Sequence, residues 1–242
     1  MEKLRVLCLH GYHGAAQVLR RQLAPLADGL DGLVEFVYVD APSLAAGDFG
    51  WWHAEAAETT AAQTGAGVSR GAKRYEGWRR TSEAIVSAFA LKGPFDGVFG
   101  FSQGAALASL LVGLRARDGA VRSEPGDPAS GILSEAKSLV FDFAVMAGGF
   151  VSADADLAGL YGERANYDLP SAHIIGRSDA VVPSEASFRL ASKFRNPLIL
   201  EHQGGHVISN APQVRQGFRS FLEHMRQCKK ANVLVRPERD AT

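Results

Sequence analysis

The sequence predicts an α/β fold: a mostly parallel central sheet of about six strands, with helices on both faces. Three observations predict it. Short apolar runs without polar alternation recur along the chain, as strands buried on both faces require. Segments with apolar residues at helical spacing separate them. The alternation of the two persists from one end to the other, so strands must be joined by crossovers and pair in parallel. A chain of 242 residues can bury a sizeable core in one domain of this kind.

The elements follow in order. Leu4–Leu9 is the first buried strand and ends in the glycine-rich turn "HGYHG". "AAQVLRRQLAPLADGL" places Leu19, Leu23 and Leu26 on one helical face, with Pro25 expected to kink or end the helix. "LVEFVYVDAP" is the second strand, stopped by Pro42. A dense aromatic patch, "FGWWHAE", then leads into the small-residue stretch "TTAAQTGAGVSRGA", and residues 43–74 form a candidate lid. "YEGWRRTSEAIVSAFALKG" is expected to be helical up to Gly93. "FDGVFGF" is the third strand, and the helix after it carries Leu107, Leu110, Leu111 and Leu114 as a core stripe. A polar connection leads to a fourth strand in "SLVFDFAVMAGGF". "SAHIIGRSD" and "PLILEHQGGH" hold the fifth and sixth strands, flanking the helix "PSEASFRLASKF". "APQVRQGFRSFLEHMRQ" closes a single domain spanning 1–228, and 229–242 reads as a flexible tail.

Composition excludes several classes. Twenty-six basic residues balance 26 acidic ones, which removes the electrostatic case for nucleic acid or an anionic membrane surface. No apolar stretch approaches membrane-spanning length, and the first residues lack a signal-peptide pattern. Of two cysteines, Cys8 lies in a buried strand and Cys228 on the last helix, so a reducing compartment, the cytoplasm, is expected. No His/Cys/Asp cluster has ligand spacing, so neither metal nor other cofactor is expected. No G-x-G-x-x-G or G-x-x-x-x-G-K follows a strand, which disfavours nucleotide binding.

The stretch that carries chemistry is Gly100-Phe101-Ser102-Gln103-Gly104, a G-x-S-x-G pattern between a buried strand and an alanine-rich helix. A sharp strand-to-helix turn lifts a serine hydroxyl clear of the sheet, and glycines two residues to either side allow the close approach this needs. The competing reading, a serine that merely caps a helix, does not call for both glycines. A serine nucleophile requires a base and the base an orienting acid, in the chain order Ser, Asp or Glu, His. Downstream, His224 falls on the last amphipathic helix and His202 within a strand, whereas His206 follows two glycines at a strand's end. Asp142 and Glu201 fall within strand patterns, whereas Asp179 lies in the turn after the fifth strand. Ser102, Asp179 and His206 are therefore the candidate catalytic residues. The backbone N–H groups of Gln103 and Tyr12 are the candidate oxyanion donors, and His10 is expected to brace the Tyr12 loop. Phe49, Trp51, Trp52 and Trp78 are candidates for one wall of an apolar acyl pocket. Phe150, Leu157, Leu160 and Tyr161 are candidates for another, with Val182 and Val207 beside the acid and the base. If they instead anchor loops to the core, substrate preference is not encoded there.

"LCLHGY", "YVDAP", "GPFDGVFGFSQGAALASLL", "GRSDAVVPSE" and "HQGGHVISN" resemble, in order and spacing, the FSH family of serine hydrolases, over roughly Leu4 to Leu222. The resemblance implies an α/β-hydrolase fold and carboxylesterase activity, with thioesterase activity in some members, and its motif positions fall on Ser102, Asp179 and His206. The expected partner is then a small-molecule ester or thioester, with a homodimer open. A hydrolase fold serving as a non-catalytic ligand receptor is disfavoured, because no candidate triad member is missing.

Overall fold

A computed structural model describes residues 2–42, 50–56, 73–118, 139–154, 156–161 and 166–235. Its main sheet has six strands, all parallel: β1 (Leu4–Leu9), β2 (Val34–Val39), β5 (Gly97–Phe101), β6 (Phe143–Ala147), β7 (Ser171–Gly176) and β8 (Leu198–His202). A separate antiparallel pair is formed by β3 (His53–Ala56) and β4 (Lys73–Glu76). The helices are α1 (Ala16–Ala27), α2 (Trp78–Lys92), α3 (Gln103–Asp118), α4 (Ser184–Ala191) and α5 (Pro212–Val235), with a 3-10 turn at Ala158–Tyr161.

The unbroken apolar runs are explained by two cores. Successive strand residues point to opposite faces, and both faces are covered. On β1, Leu7 and Leu9 join the core beneath α2 and α3, while Leu4, Val6 and Cys8 join the core beneath α1 and α5. On β6, Ala144 and Met146 take the first side, and Phe143, Val145 and Ala147 the second.

The strand order is β2-β1-β5-β6-β7-β8. The chain therefore builds outward from β1 to β2, returns to the other side of β1, and builds outward again through β8. In such sheets a crevice opens beyond the carboxyl ends of the two strands where the order reverses. Those strands are β1 and β5, so the "HGYHG" turn and Ser102 flank the crevice.

The structure departs from sequence expectation in four places. Tyr75 and Glu76 do not begin α2 but pair with His53 and Ala54 in the hairpin. Gly77, at φ 87°, turns the chain into a helix that starts at Trp78. Pro25 does not halt α1, since it falls in the last turn and the helix ends two residues later. The fourth strand starts only at Phe143, so Asp142 precedes it and faces Arg115 at 4.0 Å. The boundary at 228 falls inside α5, which continues through Val235; Lys229 contacts Glu2 at 2.6 Å and Asp96 at 3.0 Å, fastening this helix to the start of β1. Phe49, most of the candidate lid, the polar connection after α3 and the last seven residues lie outside the described residues. Cys8 and Cys228 are free thiols.

His173 on β7 is fully buried, with Nε2 3.2 Å from the Ser171 hydroxyl, and burial pushes its pKa down to about 3. Because the folded value lies below the ordinary 6.5, this histidine favours the fold fully above pH 6.5 and progressively less as pH falls toward 3. Acidification to pH 5 should cost about 2 kcal/mol through this residue. Urea-unfolding midpoints measured at pH 7.5 and pH 5 should diverge less in His173→Phe than in the wild type; equal divergence would contradict the assignment.

Candidate functional site

Ser102 sits at the junction of β5 and α3 with φ at 55°, a left-handed conformation that non-glycine residues rarely adopt. Such a residue costs about 1–3 kcal/mol and persists only where its surroundings enforce it. Here the Ser102 N–H donates to the Ala147 carbonyl at 2.9 Å, and its carbonyl accepts from Ala105 and Ala106 at 2.9 and 3.1 Å. The two glycines are sterically required. A Cβ on Gly100 would lie 2.1 Å from the Gly104 carbonyl oxygen, and one on Gly104 would lie 2.1 Å from the Leu9 carbonyl oxygen. The elbow is thus pressed onto the end of β1. The following loop is pressed onto Ser102 in turn, since a Cβ on Gly11 would stand 3.2 Å from the Ser102 Cβ.

Three strand ends converge at this point. His206, four residues after β8, places Nε2 2.9 Å from Ser102 Oγ and Nδ1 2.6 Å from Asp179 Oδ2. Asp179, three residues after β7, has a side chain only 2 % exposed, and its other oxygen accepts from the N–H groups of Val181 and Val182 at 2.9 and 2.8 Å. A carboxylate only accepts, so Nδ1 of His206 carries the ring proton and Nε2 presents a lone pair to the serine hydroxyl. The imidazole leans on the ring of Phe101, with centroids 4.9 Å apart.

The loops bearing Asp179 and His206 are tied to one another by a residue that sequence reasoning passed over. His202, buried at the end of β8, accepts from Gly204 N–H through Nδ1 at 3.1 Å and from Arg177 N–H through its carbonyl at 2.8 Å. Ser178 N–H donates to the Gly204 carbonyl at 3.2 Å. Burial lowers the His202 pKa, against an opposing pull from the Asp179 charge, and a neutral ring can serve as this acceptor. The repeated histidine of "HQGGH" was the available signal.

The other expected residues fall into two groups. Gln103 N–H opens α3, and the first N–H groups of a helix have no acceptor within it. Tyr12 is 44 % exposed, with its ring 4.1 Å from that of His13 and its hydroxyl 3.2 Å from His53 Nδ1. His10 is buried and braces this loop: Nε2 accepts from Ala41 N–H at 3.0 Å, and Nδ1 lies 2.8 Å from the Gly11 carbonyl. Burial lowers its pKa, favouring the neutral form that this bonding needs. Val207, beside His206, is 54 % exposed, and Phe150 is partly buried against the core. The expectation of open aromatic walls is corrected for Trp51 and Trp52, which are 0 % and 2 % exposed. Trp51 Nε1 donates to the His10 carbonyl at 2.8 Å, and Trp52 stacks on Tyr75 with centroids 4.5 Å apart. Leu157, Leu160 and Tyr161 are likewise core residues. Val182 is buried, and the exposed apolar neighbour of the acid is Val181. Among the described residues no group of His, Cys, Asp and Glu could hold a metal ion, and no helix is long and apolar enough to cross a membrane.

The chain is similar to known proteins in both sequence and fold. The serine hydrolase (FSH1) family matches residues 1–218. Esterase OVCA2 of Homo sapiens is 32 % identical over 240 residues, covering 91 % of this chain and 96 % of the human protein. Esterase OVCA2 of Xenopus tropicalis is 31 % identical over 236 residues, covering 91 % and 92 %. Among solved structures, esterase PE8 superposes with a TM-score of 0.58 at 21 % identity, covering 92 % of this chain and 93 % of that one. Zea mays acyl-protein thioesterase 2 superposes at 0.56 with 19 % identity, covering 92 % and 95 %. At such identities these two structures speak to the fold alone.

The elbow's steric requirement is testable by stability. Gly104→Ala should lower unfolding free energy by at least about 2 kcal/mol, because the added methyl meets rigid backbone. Gly32→Ala, where nothing lies within 4 Å, should be near neutral. Equal urea midpoints for the two variants would contradict the close approach.

Proposed function

The chain belongs to the FSH1 serine hydrolase family, and on that footing we propose that it cleaves carboxylic esters bearing a medium or long apolar acyl chain, through an acyl-enzyme on Ser102. The observation that carries this reading is the unbroken line of hydrogen bonds from Ser102 Oγ through His206 to Asp179, at 2.9 and 2.6 Å.

In the proposed cycle His206 Nε2 takes the hydroxyl proton as Oγ adds to the ester carbonyl. Asp179 holds the ring in the required tautomer and stabilises the imidazolium. The N–H groups of Gln103 and Tyr12 receive the developing oxyanion. Collapse of the tetrahedral adduct breaks the bond to the leaving oxygen, which His206 protonates. Water, deprotonated by the same imidazole, then attacks the acyl-enzyme and releases the acid. The acyl-chain preference is supported by the exposed apolar side chains of Tyr12, Val181 and Val207, each within two residues of a proposed functional group. Two free cysteines suit a reducing compartment such as the cytoplasm.

Hydrolysis of p-nitrophenyl esters from acetyl to dodecanoyl, beside matched thioesters, tests the proposal. Ser102→Ala should lose about 10⁴-fold or more in kcat, and Asp179→Asn about 10³–10⁴-fold. kcat/KM should rise about tenfold from acetyl to octanoyl if only part of each added methylene is buried. A Ser102→Ala enzyme retaining a tenth of wild-type kcat would refute the mechanism. Falling kcat/KM with chain length would refute the acyl preference, and a uniform excess for thioesters would reassign the substrate class.

A further inference from the structure

The side chain of Gln103 makes bonds that the proposed cycle does not use. It is buried, its Oε1 accepts from Trp51 N–H at 2.9 Å, and its Nε2 donates to the Trp52 carbonyl at 2.8 Å. The amide supplies the one acceptor and one donor that this arrangement needs; an ionised carboxylate offers acceptors alone and an aliphatic side chain neither. Two further polar groups of Trp51 are also used. The Trp51 carbonyl accepts from the Thr81 hydroxyl, and the Trp51 indole donates to the His10 carbonyl. The flanks of the segment reach Tyr12. A Cβ on Gly50 would lie 3.0 Å from two ring carbons of Tyr12, and His53 Nδ1 is 3.2 Å from its hydroxyl, the two rings meeting edge-on.

We propose that Gly50–His53 is a brace that fixes the two oxyanion-binding N–H groups relative to each other, with the Gln103 side chain as its inner anchor and the Tyr12–His53 contact as its outer tie. Gln103 and His53 are then positioning residues. This inference rests on the reading of Ser102 as nucleophile and of Gln103 and Tyr12 as donors. The physical need is plain. The Gln103 donor is fixed by helix α3, but the Tyr12 donor lies on a loop whose exposed ring would otherwise move with solvent. One well-placed donor is worth about 10²–10³ in turnover only while it stays in place. Ser102 itself is held separately, by its bond to Ala147 and by the two glycines. Loosening the brace therefore spares the nucleophile and weakens the transition state.

The test compares Gln103→Leu, Gln103→Glu and Tyr12→Phe with the wild type on acetyl and octanoyl p-nitrophenyl esters, with a trifluoromethyl ketone as mimic of the tetrahedral oxyanion. Gln103→Leu should lose about 10–100-fold in kcat on both esters, with KM within threefold and ketone affinity falling in step with kcat. Gln103→Glu should be impaired at pH 8 and recover toward wild type, as a ratio of kcat values, when the buried carboxyl gains a proton near pH 5.5 and again donates to the Trp52 carbonyl. Tyr12→Phe, which keeps its backbone N–H and alters only an exposed hydroxyl, should lose about 3–10-fold in kcat, and it reports even if Gln103→Leu fails to fold. Wild-type kcat in Gln103→Glu and Tyr12→Phe, or a loss confined to octanoyl KM, would overturn the brace and leave the segment as packing or a substrate wall. If Ser102 is dispensable the underlying reading fails; if Ser102 is required and these variants are fully active, the brace alone fails.

Discussion

The close approach of the start of α3 to the end of β1 is the constraint on which the rest of the structure depends. Gly104 lies so near the Leu9 carbonyl that no Cβ fits. That contact makes the turn after β5 sharp enough to hold Ser102 in a left-handed conformation. It also brings the turn after β1 against the serine, and with it Tyr12. Had the helix stood one side chain further away, Ser102 would have been an ordinary helix cap. The neighbouring loops could not then have met it.

Around this elbow three buried side chains have hydrogen-bond partners at both of their polar ends. Both Asp179 oxygens, both His10 ring nitrogens and both ends of the Gln103 amide have partners. Satisfied networks are rigid, and half-satisfied ones are costly. The buried histidines have lowered pKa values through burial and serve as neutral acceptors at His10 and His202. The fold thus uses neutral imidazoles as scaffolding close to the one that we propose as a base. Acid should loosen this scaffold.

The elbow and the parallel sheet covered on both faces are legible because their constraints are local. G-x-S-x-G is a steric statement about five consecutive residues, and an apolar run without alternation states that both sheet faces are covered. That Asp179 and His206 meet Ser102 is legible because chain order and strand ends leave few candidates. The β3–β4 hairpin was not legible. Lys73–Glu76 carries only one buried residue, Tyr75, and its pairing is decided by distant contacts: Trp52 under the tyrosine ring, and Asp154 accepting from its N–H at 2.6 Å. The burial of Trp51 and Trp52 is not legible for a related reason. An aromatic cluster reads the same whether it lines a cavity or fills one, and what distinguishes them is a glutamine 52 residues after Trp51.

The most direct test of the central claim, that His206 and Asp179 activate one serine, is the rate and position of fluorophosphonate labelling, mapped by peptide mass. A single adduct on the peptide containing Ser102 is expected, forming at least about 10²-fold more slowly in His206→Ala. An adduct on another serine, or an unchanged rate without the imidazole, would contradict it.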